Sequence, residues 1–348
     1  MQLGIVTPFY FPSVRGNSIT VQRIESGLRD QGVIVRVWSL EHRPSPGEIL
    51  QALEAFTPDL VHGFHASSSG RIVTEAALRL GIPSILTVTG TDVNTDLFDP
   101  HRRPEVMDVL RQATRIVVFH NCMRVKLVGE LPEIEHRIRM ISQAVRCQEA
   151  PFDLRHHLGL QPDDLIFCIP SGIRRVKNVT FCLKSLDALR IRHPQVKAVF
   201  VGPVIEAAEG ARLQELLRDY PWAFYLGTVP HEQMCAILTS VDVVINSSLS
   251  EGGMANSILE AMSRGRAVLA RDIEGNRSVV QDGIDGLLFG SEAEFAHKAE
   301  RLIMEPSLRH ALGKNGKEKI EREFSKEREI QGYLQLYQEA LGACSRRG

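Results

Sequence analysis

Ser250-Glu251-Gly252-Gly253-Met254-Ala255-Asn256-Ser257-Ile258-Leu259-Glu260-Ala261-Met262 decides how this chain is read. It follows Val241-Asp242-Val243-Val244-Ile245-Asn246, an apolar run of the kind that forms a buried parallel strand. Ile258, Leu259 and Met262 have helical spacing and give the segment beyond the glycines a core face, with Glu260 off that face. A strand, a glycine turn and a helix start together make an anion site. Glycine lets a ligand approach the backbone, and the first helical N–H groups and the dipole favour a phosphate. Gly252, Gly253, Met254, Ala255 and Asn256 are therefore candidate phosphate binders, and Glu260 is a candidate acceptor for sugar hydroxyls. An ordinary strand-to-helix turn uses the same glycines, so the rest of the chain has to decide between them.

With 348 residues the chain is long enough for two domains, each with its own core. It is 43% hydrophobic and 24% charged, with a net charge of −1 spread evenly over both halves. That balance excludes broad affinity for nucleic acid or an anionic membrane. No apolar run approaches the length of a membrane span, and Met1-Gln2-Leu3-Gly4 lacks a charged leader, so a cytoplasmic protein is expected, with peripheral membrane contact left open. The six cysteines are scattered, with no CxxC and no His/Cys cluster. They predict packed thiols for the most part, and no metal site.

The first half alternates short apolar strands with helical patterns. Strands are expected at Leu3–Val6, Val33–Trp38, Asp59–Gly63, Ser84–Val88, Arg115–Phe119 and Ile138–Ser142, and a helix from Ile19 to Gln31. Such alternation predicts an α/β fold with a parallel sheet wound on both faces, whose ligands bind at the carboxyl ends of the strands. Three polar groups fall at that edge: Gly16-Asn17 with Thr20 and Arg23; His62 and His65; and Gly90-Thr91-Asp92. Each also has a simpler reading, as a loop glycine, a packed histidine and an N-cap aspartate. No GxGxxG follows the first strand, which argues against a nicotinamide or flavin dinucleotide enzyme.

Ala144 to Asp153 reads as the connection to a second domain, where the alternation restarts at Leu165–Pro170. That strand leads into Ser171-Gly172-Ile173-Arg174-Arg175-Val176-Lys177-Asn178, three cations in a loop before a helix. Fixed Arg and Lys suit the concentrated charge of a departing nucleoside diphosphate. A solvated basic loop is the plainer alternative, although cations at a helix start oppose its dipole. Further strands are expected at Lys197–Val201, Phe224–Leu226 and Ala267–Ala270, and backbone near Val229 is a candidate to read a nucleobase edge. Residues 291–341 are helical by pattern, broken at Pro306 and near Phe324-Ser325.

By these residues the chain resembles the GT-B glycosyltransferases of the retaining, family-4 (group 1) type. The likeness rests on Gly172, Arg174 or Arg175 and Lys177; on Glu251, Gly252 and Glu260-Ala261-Met262; and on Gly275, Asp282-Gly283 and Gly286-Leu287-Leu288-Phe289. It implies two Rossmann-like domains with parallel sheets facing across a cleft. Residues 1–150 would form the acceptor-side domain and 151–325 the nucleotide-sugar domain, with a last helix from 326 crossing back. It puts the diphosphate on Arg174 and Lys177, the ribose on Glu260 and the donor sugar near Glu251. Gly16, Asn17, Arg175, Val229 and the 252–256 segment join the donor side. Thr20, Arg23, His65, Gly90 and Thr91 join the acceptor side, and Asp92 is the candidate to touch donor or acceptor sugar. Three features depart from the family pattern. Eight residues rather than seven separate Glu251 from Glu260, the basic loop is one residue short, and Thr87-Val88-Thr89-Gly90-Thr91-Asp92 has no histidine. A narrower likeness is to a compact subgroup that includes bacterial selenosugar synthases and short vertebrate glycosyltransferase-domain-containing proteins. The expected function is transfer of a sugar from a nucleotide sugar, a UDP-sugar, to an acceptor, without metal or cofactor. A sugar-nucleotide epimerase and a non-catalytic nucleotide-sugar sensor share the architecture.

Overall fold

Apolar runs become strands and the amphipathic stretches between them become helices, twice over. The computed structural model describes residues 1–11, 16–145, 150–251 and 253–344. Gly252, Pro12 to Arg15 of the first loop and Arg146 to Glu149 of the connection lie outside these. The chain divides into two units, Met1–Ala144 with Phe324–Gly348, and Val145–Glu323.

The first unit runs β1 (Gln2–Thr7), α1 (Gly16–Asp30), β2 (Ile34–Ser39), α2 (Pro46–Phe56), β3 (Leu60–Phe64), α3 (Ala66–Leu80), β4 (Ser84–Thr87), α4 (Thr91–Asn94), α5 (Arg103–Gln112), β5 (Arg115–Val118), α6 (Asn121–Glu130) and β6 (Ile138–Met140). Its strands pair in parallel in the order β2-β1-β3-β4-β5-β6. Alternation along β1 sends Leu3 and Ile5 to one face and Val6 to the other.

The second unit runs α7 (Leu154–Leu158), β7 (Leu165–Pro170), α8 (Cys182–Arg190), β8 (Val196–Val201), α9 (Ala207–Asp219), β9 (Ala223–Tyr225), α10 (His231–Thr239), β10 (Val243–Asn246), α11 (Asn256–Ser263), β11 (Ala267–Arg271), α12 (Glu274–Arg277), β12 (Leu287–Phe289), α13 (Glu292–Met304) and α14 (Pro306–Glu323). Its parallel order is β12-β11-β10-β7-β8-β9. β7 and β10 are neighbours, and the chain leaves them in opposite directions, to β8 on one side and β11 on the other. That is the switch point at which a doubly wound sheet opens a crevice.

The helix α15 (Lys326–Cys344) belongs to the first unit. Ile330, Tyr333, Leu336, Tyr337 and Ala340 pack into the same cluster as Val21, Ile24 and Leu28 of α1 and Leu3 and Ile5 of β1. Arg23 of α1 donates from Nε and Nη2 to the two oxygens of Glu329, at 2.7 and 2.8 Å, both side chains being buried. His62 sits beneath the same helix, 2.8 Å from Tyr337 Oη and 2.7 Å from Thr87 Oγ1, and burial pushes its imidazole down to about 3. His62 is thus a packed histidine and not a group of the sheet edge. Burial pushes the Cys168 and Cys182 thiols up to about 12, as packed thiols require, whereas Cys235 is disulfide-bonded. No helix of the described residues is long and apolar enough to cross a membrane.

Candidate active site

The loops after β7 and β10 meet at the switch point of the second unit. Leu249 N–H donates to Val176 O at 2.8 Å, and the Ser247 hydroxyl donates to Asn178 O at 2.9 Å. These bonds stitch the β10 loop to the tight turn Arg175–Lys177. Asn178 ends that turn with φ 46°, a left-handed conformation that asparagine tolerates better than most residues.

The stitching brings Lys177 to Glu251. The ammonium donates to both carboxylate oxygens, at 2.6 and 2.7 Å. The Ser248 hydroxyl and Asn246 Nδ2 also donate to Glu251 Oε1, at 2.6 and 3.1 Å. The two charged side chains are only 17% and 9% exposed. Burial alone pushes the Glu251 carboxyl up. The charge of Lys177 and the hydrogen bonds from Lys177, Ser248 and Asn246 outweigh it and hold the group below its ordinary range. Behind this pair, Asn276 Nδ2 donates to Asn246 Oδ1 at 3.3 Å and to Arg271 O at 2.9 Å. Gly275 has no room for a side chain: a Cβ there would lie 2.6 Å from Glu251 Cβ and 2.8 Å from Gly253 O.

The two arginines of the basic loop differ. Arg174 is half-buried, and its Nε is buried with no hydrogen-bond partner. Arg175 is exposed, and its backbone N–H donates to Glu206 Oε2 at 3.0 Å. Beyond Glu251, Met254 and Ala255 are buried, and Ala255 O accepts from Ile258 and Leu259 to start α11. No acidic side chain stands in the first turn of that helix, which includes Asn256. Glu260, on the next turn, is 8% exposed, with Oε1 3.7 Å from Nε2 of His231. His231 opens α10 directly after the half-buried Val229 and the exposed Pro230.

In the first unit, Asp92 is fully buried and its carboxylate is occupied by backbone. It accepts from Ala66 N–H at the start of α3 (2.9 Å), and from Thr89, Gly90 and Val93 around α4. A carboxylate at two helix starts is electrostatically favoured, and Gly90 takes φ 136° to present its N–H. Asp92 is therefore an anchor of the loop, with no exposure left for a sugar. His65 has φ 72°, uncommon for a residue with a side chain, and its Nε2 lies 2.7 Å from Thr91 Oγ1. His65 and Thr91 are thus joined across the β3 and β4 edge. Gly16 and Asn17 open α1, and Thr20, one turn on, is buried. Arg23 is committed to Glu329 and does not reach the edge.

Sequence reasoning singled out Lys177, Glu251 and Glu260, but not Asn246, Ser248, His231 or Asn276, which hold them. These are common polar residues, and only the register of β7 against β10 tells which of them face the crevice. Among the described residues no cluster of three His, Cys, Asp or Glu forms a metal site.

The model of the family "Glycosyl transferases group 1" matches residues 152–319, most of the second unit. "Glycosyltransferase 1 domain-containing protein 1" of Xenopus tropicalis is 27% identical over 92% of this chain and 93% of its own length. A "D-inositol 3-phosphate glycosyltransferase" of Actinosynnema mirum is 26% identical over 92% and 84%. Among solved structures, HepE of Anabaena in complex with UDP and glucose superposes with a TM-score of 0.80 at 16% identity, over 97% of this chain and 100% of that one. Sucrose-phosphate synthase of Thermosynechococcus elongatus gives 0.83 at 19% identity, over 98% and 99%. Residues 152–319 thus match the group 1 glycosyltransferase family, and the chain has the GT-B type of fold.

Proposed function

We propose that this glycosyltransferase takes a UDP-sugar as donor, transfers the sugar with retention of anomeric configuration, and needs no metal ion. The observation that carries the reading is the Lys177–Glu251 pair at the switch point, with the unpartnered Nε of Arg174 on the same loop after β7 and the start of α11 just beyond Glu251 in the chain. The diphosphate lies against the α11 start, Arg174 and Lys177. Its developing charge is met by fixed cations and backbone N–H groups, the chemistry that a metal supplies elsewhere. Arg174, half-buried with a free Nε, suits that role better than the exposed Arg175. Glu260 accepts from the ribose hydroxyls, with His231 orienting it, and Glu251 faces the donor sugar while holding Lys177 in place. UDP as the nucleotide is supported by the UDP complexes of HepE. No protein nucleophile is required, and Asp92 acts as a positioning residue for the His65 and Thr91 edge.

Isothermal titration of the full chain with UDP, GDP and ADP tests this. UDP should bind preferentially, Arg174→Ala and Glu260→Ala should each weaken it tenfold or more, and Arg175→Ala should do so less than threefold. Well-folded protein that binds none of the three nucleotides would overturn the donor assignment.

A further inference from the structure

Asn246 and Asn276 are two amides buried among apolar neighbours in the chain. Asn246 ends the run Val243-Val244-Ile245 of β10 and is 6% exposed, and Asn276 lies in α12 and is fully buried. A buried amide destabilises unless its bonds are made, and the bonds made here run one way. Asn246 Oδ1 accepts from the backbone N–H of Ser248 at 3.1 Å, which turns Nδ2 toward Glu251 Oε1, also at 3.1 Å. Asn276 Nδ2 donates to the carbonyl of Arg271 at 2.9 Å and to Asn246 Oδ1 at 3.3 Å. A backbone donor at Ser248 and a backbone acceptor at Arg271 thus fix both amides, because flipping either one sets oxygen against oxygen. The orientation leaves Asn276 Oδ1 buried without a partner, an atom that interiors nearly always satisfy.

Neutralising Glu251 does not require these amides, since Lys177 already contacts both of its oxygens. What Asn246 adds is asymmetry. With Lys177 and Ser248 it brings three donors to Oε1, and these fix the rotation of the carboxylate as well as its place. An amide N–H only donates, so the contact favours the form of Glu251 that accepts. We propose that Asn246, held by Asn276, is a positioning residue for sugar transfer: the two amides form a one-way relay that keeps Glu251 a hydrogen-bond acceptor of fixed orientation toward the donor sugar. The proposal rests on the donor-side reading of Glu251 and gives neither amide a contact with substrate.

The test compares wild type, Asn246→Asp, Glu251→Gln, the double variant of these two, and Asn276→Leu. Each is melted between pH 5.5 and 8 and assayed for hydrolysis of UDP-glucose and UDP-N-acetylglucosamine to UDP and free sugar. Asn246→Asp keeps the size of the side chain and its bonds to Ser248 and Asn276, and reverses only the contact with Glu251, where two carboxylate oxygens now meet with Lys177 still facing Glu251. Carboxylates so placed share a proton, and the shared proton restores a donor to Glu251. Asn246→Asp should therefore melt below wild type at pH 8, with the gap at least halved at pH 5.5. The double variant restores an N–H to carboxylate contact of opposite direction and should recover at least half of that gap at pH 8. Turnover separates positioning from folding. At pH 8 Asn246→Asp should lose tenfold or more in kcat, with a UDP dissociation constant within threefold of wild type, and its kcat relative to wild type should rise at least threefold by pH 5.5. The double variant, folded but with no carboxylate at 251, should stay tenfold or more below wild type. If Asn246→Asp fails to fold, Asn276→Leu carries the turnover arm, with an expected loss of threefold or more in kcat. A melting gap identical at both pH values, or a double variant showing the sum of the single losses, would overturn the relay. So would Asn246→Asp turning over like wild type while Glu251→Gln does not, an outcome that leaves the reading of Glu251 intact. Glu251→Gln turning over like wild type would sink that reading and the proposal together. A wild type that hydrolyses neither donor would sink the donor assignment, and the melting arms alone would then decide the relay.

Discussion

Replacing Lys177 by methionine strands a buried carboxylate, and the structure says how much that should cost. Breaking a buried ion pair from one side costs about 3–5 kcal/mol, since the remaining charge is left in poor solvent. Lys177 keeps 17% and Glu251 9% of its side-chain surface exposed, and Ser248 and Asn246 continue to donate to Glu251. The low end therefore applies, about 3 kcal/mol for Lys177→Met. Lys177→Met with Glu251→Leu removes both charges and fills similar volume, so the double variant should lie within ~1 kcal/mol of wild type. The coupling between the two sites is then at least ~2 kcal/mol. Trp222, 4% exposed and donating from Nε1 to Asp187 Oδ1 at 2.9 Å, reports on the second unit. Urea unfolding followed by fluorescence in a Trp38→Phe background therefore isolates that unit. The same series against pH checks the sign. The folded Glu251 carboxyl lies below its ordinary range, so its contribution is present above the unfolded carboxylate value and is lost as pH falls through the folded one. Additive single losses, with the double variant as unstable as their sum, would refute the pair as an energetic unit.

Three further outcomes are expected. Asp92→Ala leaves the N–H groups of Ala66, Thr89, Gly90 and Val93 without their shared acceptor and should cost the first unit about 3 kcal/mol, seen as a lower melting temperature; an unchanged melt would contradict the anchoring role. Gly275→Ala drives a methyl into Glu251 Cβ and Gly253 O. It should weaken UDP binding tenfold or more for a stability loss of about 1–3 kcal/mol, and calorimetric titration showing unaltered affinity would mean that the loop yields freely. His62 stays neutral when folded, down to about 3. An unfolded chain takes up a proton on its histidine below about 6.5, so the first unit should lose stability as pH falls from there, at up to ~1.4 kcal/mol per unit. His62→Gln should flatten that slope between pH 6.5 and 5, and an identical slope in both proteins would refute the assignment.

Strand positions were legible because buried parallel strands read as apolar runs: Leu165–Pro170 is β7 to the residue, and the run before Ser250 becomes β10. The breaks at Pro306 and near Phe324-Ser325 are real helix boundaries, because proline fits a first helical position. β12 was not read as a strand, since Leu287-Leu288-Phe289 is too short to show a period. At the site, the cationic loop brought Lys177 under suspicion and the family likeness brought Glu251, but contact between them depends on β7 lying beside β10, a pairing across 76 positions of chain. Arg23 and Asp92 show the opposite limit. A charged residue near a strand edge looks the same in sequence whether it faces a ligand or a buried partner, and here Glu329 lies 306 residues away from Arg23.

The return of α15 to the first unit makes residues 145–323 an insertion within that unit, with a consequence for how the protein is made. At ~5–20 residues per second, roughly 10–40 s of synthesis separate the last strand of the first sheet from the helix that covers it. Throughout that interval Val21, Ile24 and Leu28 lack the apolar side chains of α15, and Arg23 lacks Glu329. The second unit, contiguous in sequence, can close its core on the ribosome first. The first unit completes only after α15 has emerged, so on a nascent chain the half made first is the half that closes last.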